Sequence, residues 1–253
     1  MKRLIITVAA FFFIQSSHAQ FNIFKVLKKD SSTTATSSEK QGEPAPAEIS
    51  SGLKQALENG LQMSISTLSK KDGFLGNQAV KILLPPQAQK AEQALRGIGL
   101  GSLTDQLITS LNRAAESAVS EAGPVFVNAL KSLTIADATK ILLSGQEDAA
   151  TSFFKTQTST ELATKFQPIV SQNLEKFDVS KYWSDVATRY NQIPLVKDKM
   201  EADLNTYVTQ KAIEGLFHQV AQEELKIRNN LGGSRTSPLL QKVFGYADKE
   251  NKK

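Results

Sequence analysis

The chain has 253 residues, 30 basic and 25 acidic side chains, a net charge of +5, two histidines and no cysteine. The missing thiols exclude disulfides, thiolate nucleophiles and cysteine-ligated zinc. A hydrophobic content of 40% with 22% charged residues fits a globular chain rather than a disordered one.

The first residues read as an export signal. Lys2 and Arg3 form a positive start, the run from Leu4 to Ile14 is apolar except for Thr7, and Ser17-His18-Ala19 places small residues at −3 and −1 of a cleavage site. The run is well short of the ~20 residues a membrane-spanning helix needs. Residues 1–19 are therefore predicted to be a signal peptide cleaved after Ala19, with an uncleaved N-terminal anchor as the alternative, and the protein to be periplasmic or extracellular. No later segment is apolar and long enough to span a bilayer. Loss of Lys2 and Arg3 lowers the net charge from +5 to +3 and loss of His18 leaves His218 as the one histidine. So small a charge on so long a chain does not suggest nucleic-acid binding. About 200 folded residues can bury enough apolar surface without disulfide staples.

Residues 20–48 are rich in Ser, Thr, Ala, Pro, Lys and Glu and read as a flexible linker after a short amphipathic stub at its start. A single helical domain is expected over 49–246, then a frayed tail over 247–253. Leu53, Leu57, Leu61, Ile65 and Leu68 recur at helical spacing, with Ser50 or Ser51 as the cap and Gly73 as the stop. Pro85-Pro86 forbid a helix through Ala79–Leu84, which is predicted to be extended, with no strand partner in view. A short helix follows over 87–98, stopped by Gly97, Gly99 and Gly101. Ser102 or Thr104 then starts a helix to Ala122, striped by Leu103, Leu107, Leu111, Ala114, Ala115, Ala118 and Ala122. Gly123-Pro124 starts the next.

Thr134 caps a helix over 135–143, with Asp137 completing a capping box. Helices over 146–157 and 160–177 come next, the second kinked or broken by Pro168. Another spans 182–191 and is closed by Pro194. Asp203 caps a long helix to Arg228, and a last one covers 236–244. The expectation is an all-α fold, a compact bundle of about ten helices with short connections. No fixed-period repeat appears, which argues against a solenoid.

Several stretches resemble the bacterial family known as domain of unknown function 4197. They include Gly52-Leu53-Lys54-Gln55-Ala56-Leu57, Lys71-Asp72-Gly73-Phe74, Val80-Lys81-Ile82-Leu83-Leu84-Pro85 and Leu111-Asn112-Arg113-Ala114-Ala115-Glu116. Asp148-Ala149-Ala150-Thr151, Gly215-Leu216-Phe217, Glu223-Glu224 with Ile227-Arg228, Arg235, and Val243-Phe244-Gly245 continue the match. The resemblance spans about residues 50–246 and implies an exported bacterial protein with a helical domain and no assigned reaction. After Arg228, where the family tends to have proline, this chain has Asn229-Asn230-Leu231-Gly232-Gly233.

The long C-terminal helix carries the sharpest chemical signal. Ile213, Leu216, Phe217, Val220 and Ile227 share one side, and Glu224 falls among them with Arg228 one turn on. A charged pair on an apolar face demands partners. Arg113 and Arg235 are the available cations, Glu116 and Asp148 the available anions. These six residues form a polar pocket for an anionic or polar ligand, a structural network that fixes helix register, or simple surface pairs. Arg113 and Glu116 lie opposite their helix's apolar stripe and pair at i,i+3, as a surface pair or as members of the network. Asn112, at the stripe's edge, needs hydrogen-bond partners if buried.

Other features carry less. His218 has no Gly-x-Ser-x-Gly companion for a triad. Gly97-x-Gly99-x-Gly101 follows a helix and lacks the Gly-Lys-Ser/Thr ending of a phosphate loop. The acidic pairs Glu147-Asp148, with Glu161, and Glu223-Glu224 are not preassembled for a metal. Tyr182-Trp183 and Phe153-Phe154 read as core aromatics. No metal or other cofactor is implied. The reading is an exported, non-enzymatic binding or interaction protein of the cell envelope, taking an unknown protein or a small polar or anionic ligand. One alternative is an envelope enzyme, such as a hydrolase, built on the carboxylates and arginines. Another is surface attachment through Lys25, Lys28 and Lys29.

Overall fold

The structure is a computed structural model that describes residues 43–176, 178–192 and 203–252. The expected signal peptide, residues 20–42 of the expected linker with their lysines, and Pro194 lie outside the described residues. The rest fall in one compact unit. Nine α-helices and no strand occur among the described residues, an all-α fold. They are α1 (Pro46–Leu68), α2 (Pro86–Gly97), α3 (Gly101–Val119), α4 (Gly123–Ser132), α5 (Ile135–Leu142), α6 (Ala149–Lys176), α7 (Val179–Asn191), α8 (Leu204–Arg228) and α9 (Pro238–Glu250).

Helix α8 is the centre. It packs against α1, α3 and α6, α4 and α5 cover α1 and α6, α7 lies on α3 and α2, and α9 lies on α1. Its buried face includes Val208, Ala212, Leu216, Phe217 and Val220. Phe217 meets Phe126 of α4 edge-on at 5.9 Å, and Phe126 meets Phe154 of α6 at 6.5 Å. Such edge and tilted pairings suit the ring quadrupoles.

Three starts follow the capping chemistry. Thr134 and Asp137 form the capping box of α5. Asp203 accepts from the amides of Asn205 and Thr206 at the start of α8. Ser237 accepts from Leu240 at the start of α9. Elsewhere the boundaries move. Helix α1 begins at Pro46, ahead of the serines expected to cap it, because proline is pre-shaped for a first helical turn and Glu48 accepts from the Ala45 amide at 2.9 Å. Helix α6 runs unbroken through Pro168, joining two expected helices. Helix α9 continues to Glu250 with Ala247 buried, past the point where fraying was expected.

Residues 81–85 carry no helix or turn and form no strand pairing. Asn112 holds them instead. Its Oδ1 accepts from the Ile82 amide at 2.9 Å, and its Nδ2 donates to the Ile82 carbonyl at 2.8 Å and to Ile108 of its own helix at 2.7 Å. One carboxamide reaching both the N–H and C=O of one residue requires extended backbone there. The chain end of α1 turns through Asp72, whose φ of 66° is left-handed. Aspartate tolerates that region better than most residues. Gly73 is needed beside it for space, since a Cβ would stand 2.4 Å from the Leu68 carbonyl oxygen.

Candidate functional site: the charged end of α8

Helix α5 ends and α6 begins across a short turn through Gly145, whose φ is 71°. The carbonyl end of α5 and the amide end of α6 therefore both meet the C-terminal half of α8. Both ends carry backbone groups with no partner inside their own helix. Glu224 answers one of them. Its carboxylate accepts from the Ala150 amide at 3.0 Å, the Thr151 amide at 2.8 Å and the Thr151 hydroxyl at 2.8 Å. Arg228 answers the other. Its guanidinium donates to the carbonyls of Ile141 at 3.0 Å and Leu142 at 3.3 Å, while Nε donates to Glu224 at 2.9 Å. The anion sits at a positive helix start and the cation at a negative helix end, the favourable sense for both dipoles. The Glu224 side chain is buried, 7% exposed, and that of Arg228 nearly so, at 10%.

Arg235 closes the end of α8 itself. It donates to the carbonyls of Ile227, at 2.9 Å, and Arg228, and takes the Asp248 carboxylate in a two-point grip at 2.6 and 3.0 Å. Its guanidinium also lies 5.5 Å over the Phe244 ring. The loop that turns Arg235 back needs left-handed backbone at Asn230, Gly232 and Gly233, which explains the glycines there and leaves no place for proline at those three positions.

Of the six residues singled out from the sequence, three meet here: Glu224, Arg228 and Arg235. Arg113 and Glu116 form a second network with other partners. Glu116 is buried and accepts from the amides of Phe74 at 3.1 Å and Leu75 at 3.3 Å. Arg113 bridges Glu116 at 2.6 Å and Asp72 at 2.7 Å. Asp148 joins neither network; it is exposed, and its carboxylate accepts from the Ser152 hydroxyl at 3.3 Å. Thr151, Asp72 and Asp248 were not legible as partners, because each is paired across a fold contact rather than along a helix.

An open cleft of about 360 Å³ lies against this end of α8. Arg228 and Arg235 form part of its wall, with Gln146, Asn229, Asn230, Asn251 and Lys252 around it and Glu147 and Asp248 as the carboxylates. The buried carboxylate Glu224 is absent from that wall and instead borders a small apolar cavity of about 20 Å³ between α1, α6, α8 and α9. Glu116 lines neither space. The carboxylates and arginines proposed for catalysis thus do not converge in one open cleft.

The family model described as "Protein of unknown function (DUF4197)" matches residues 43–245. The chain belongs to this family. The matched segment includes both charged networks except Asp248 and ends inside α9. Searches of curated proteins and of solved structures return no match.

The remaining features of this DUF4197 chain fall into place as packing or surface. Gly97, Gly99 and Gly101 make the turn between α2 and α3, where Gly99 has a φ of 83°. Phe154 is core, Phe153 is half-buried beside it, and Tyr182 and Trp183 are half-buried. His218 is exposed. Glu223 is held by Gln219 and Lys226. No three His, Asp or Glu side chains gather as a metal site, and no helix is long and apolar enough to cross a membrane, among the described residues.

Proposed function

We propose that the chain is an exported, non-enzymatic binding protein of the cell envelope, and that the cleft beside Arg228 and Arg235 receives a small polar or anionic ligand. The observation that carries this reading is the cleft wall, two guanidinium groups fixed by their partners and flanked by the amide side chains of Gln146, Asn229, Asn230 and Asn251. Donors held in place before a ligand arrives cost it little ordering. The buried carboxylates favour binding over catalysis, since Glu224 and Glu116 already accept from backbone amides and from arginine. Export rests on the charged start, the short apolar run and the small residues before Gln20.

Calorimetric titration of the full chain with citrate and with inorganic phosphate tests the site. Saturable binding that weakens in Lys252→Ala and Asn251→Ala, both exposed positions, is expected. No heat with either anion, or equal affinity in the variants, counts against it. N-terminal sequencing of the envelope fraction should begin at Gln20; an intact Met1 contradicts cleavage.

A further inference from the structure

A second cleft, of about 490 Å³, lies at the opposite half of α8. The extended segment Lys81–Leu83 forms one wall, and Tyr207, Lys211, Glu214 and His218 form the other. The backbone of this segment is satisfied on one side only. Ile82 gives its N–H and C=O to Asn112 on α3, which acts as a neighbouring strand would. In extended backbone the groups of Lys81 and Leu83 point the other way. There the Lys81 amide bonds Asn77 at 2.8 Å and the Leu83 carbonyl accepts from the Tyr207 hydroxyl at 3.0 Å. The Lys81 carbonyl and the Leu83 N–H have no partner among the described residues. The Leu83 side chain is 49% exposed beside them.

A carbonyl at one position and an N–H two residues later, on one edge, is the pattern a single residue of a parallel strand completes with its own N–H and C=O. Two cations, Lys81 and Lys211, stand at the cleft against one carboxylate, Glu214, which Lys211 holds at 2.6 Å. We propose that this cleft docks an extended, acidic peptide segment of a partner protein, paired through its main chain to Lys81 and Leu83. Main-chain bonds supply the affinity in such strand addition, and side chains the selectivity. Tyr207 keeps the Leu83 carbonyl occupied throughout: burial pushes its phenol above the usual range, so the hydroxyl remains a donor. The proposal is independent of the ligand at the Arg228 cleft.

The test is a phage-displayed dodecapeptide library panned on the full chain, followed by titration of the enriched synthetic peptides. Enriched sequences should be acidic, and their affinity should fall with added salt. Leu83→Pro removes an N–H that bonds nothing in the fold and places proline in backbone already extended, so Tm should hold while affinity drops about tenfold. Leu83→Ala keeps the donor and should keep most of the binding. Independently of either variant, exchange of the Leu83 amide hydrogen in the wild type should slow when peptide is added. The proposal is overturned if nothing enriches above the bare support, if the enriched peptides are basic, if Leu83→Pro binds them as well as wild type, or if the Leu83 amide exchanges at the same rate with peptide bound.

Discussion

Glu224 and Arg228 stand one turn apart on α8 and bond each other at 2.9 Å, yet each serves the end of a different helix. The carboxylate closes the start of α6 and the guanidinium closes the end of α5. One pair thus fixes where two consecutive helices meet the central one. Glu224→Gln should be costly despite its near-identical shape, because the amide nitrogen would face a backbone N–H and the buried guanidinium would lose its counter-charge. A loss of about 3 kcal/mol is expected in urea unfolding.

Asn112 replaces a missing strand. Its burial is complete and both ends of its amide are bonded. Asn112→Ala leaves the Ile82 N–H and C=O without partners, a cost of about 3 kcal/mol. Asn112→Asp should be worse at neutral pH, since it cannot donate to the Ile82 carbonyl and buries a charge. Lowering the pH should narrow the gap between the two variants as that carboxyl protonates. Thermal melts at two pH values check both statements.

Gly215 lets α8 pass against Phe74. A Cβ at this position would lie 2.6 Å from Phe74 Cε1 and 3.3 Å from Val80 Cβ, and Phe74 has no exposed surface into which to move. Gly215→Ala should therefore destabilise the fold by about 1–3 kcal/mol despite its helical preference. Phe74→Leu in the same chain should make the added methyl less damaging than it is alone, which a double-mutant cycle reads out.

Asp203 caps α8 from the solvent side. Its bonds from the Thr206 hydroxyl and amide, and from the Asn205 amide, hold its carboxyl below the usual aspartate range. A folded value below the unfolded one means the charge stabilises fully above the unfolded pKa of ~3.9 and stops doing so as pH falls through the folded value. Asn keeps a capping oxygen without the charge. The stability advantage of wild type over Asp203→Asn should accordingly be present near neutral pH and vanish in strong acid. An advantage that persists or grows there would contradict the assignment.

Much of the fold was legible where the signal is local. Spacing alone marks α1, α3 and α8, and Thr134 with Asp137, and Asp203, mark the starts of α5 and α8. The i,i+4 pair of Glu224 and Arg228 on an apolar face also announced its own burial. What escaped depends on contacts between distant segments. Arg113 and Glu116 looked more like a surface pair, because nothing along α3 shows that the turn at Phe74 folds over Glu116. Asp148 looked like an available anion for the arginines, but its side chain faces solvent. Pro168 failed to break α6 because proline's cost of ~3 kcal/mol can be outweighed by burial of Phe166 and Val170 on either side.

The central claim is that the charges of α8 hold the helices together and leave binding to the clefts beside them. Equilibrium unfolding of Arg228→Ala tests it most directly. The account predicts a loss of roughly 3 kcal/mol, because Glu224 would remain buried without its cation and the Ile141 and Leu142 carbonyls without a donor. In a melt this is a fall in Tm of roughly 6–12 °C for a domain of this size. A midpoint within a degree or two of wild type would contradict it.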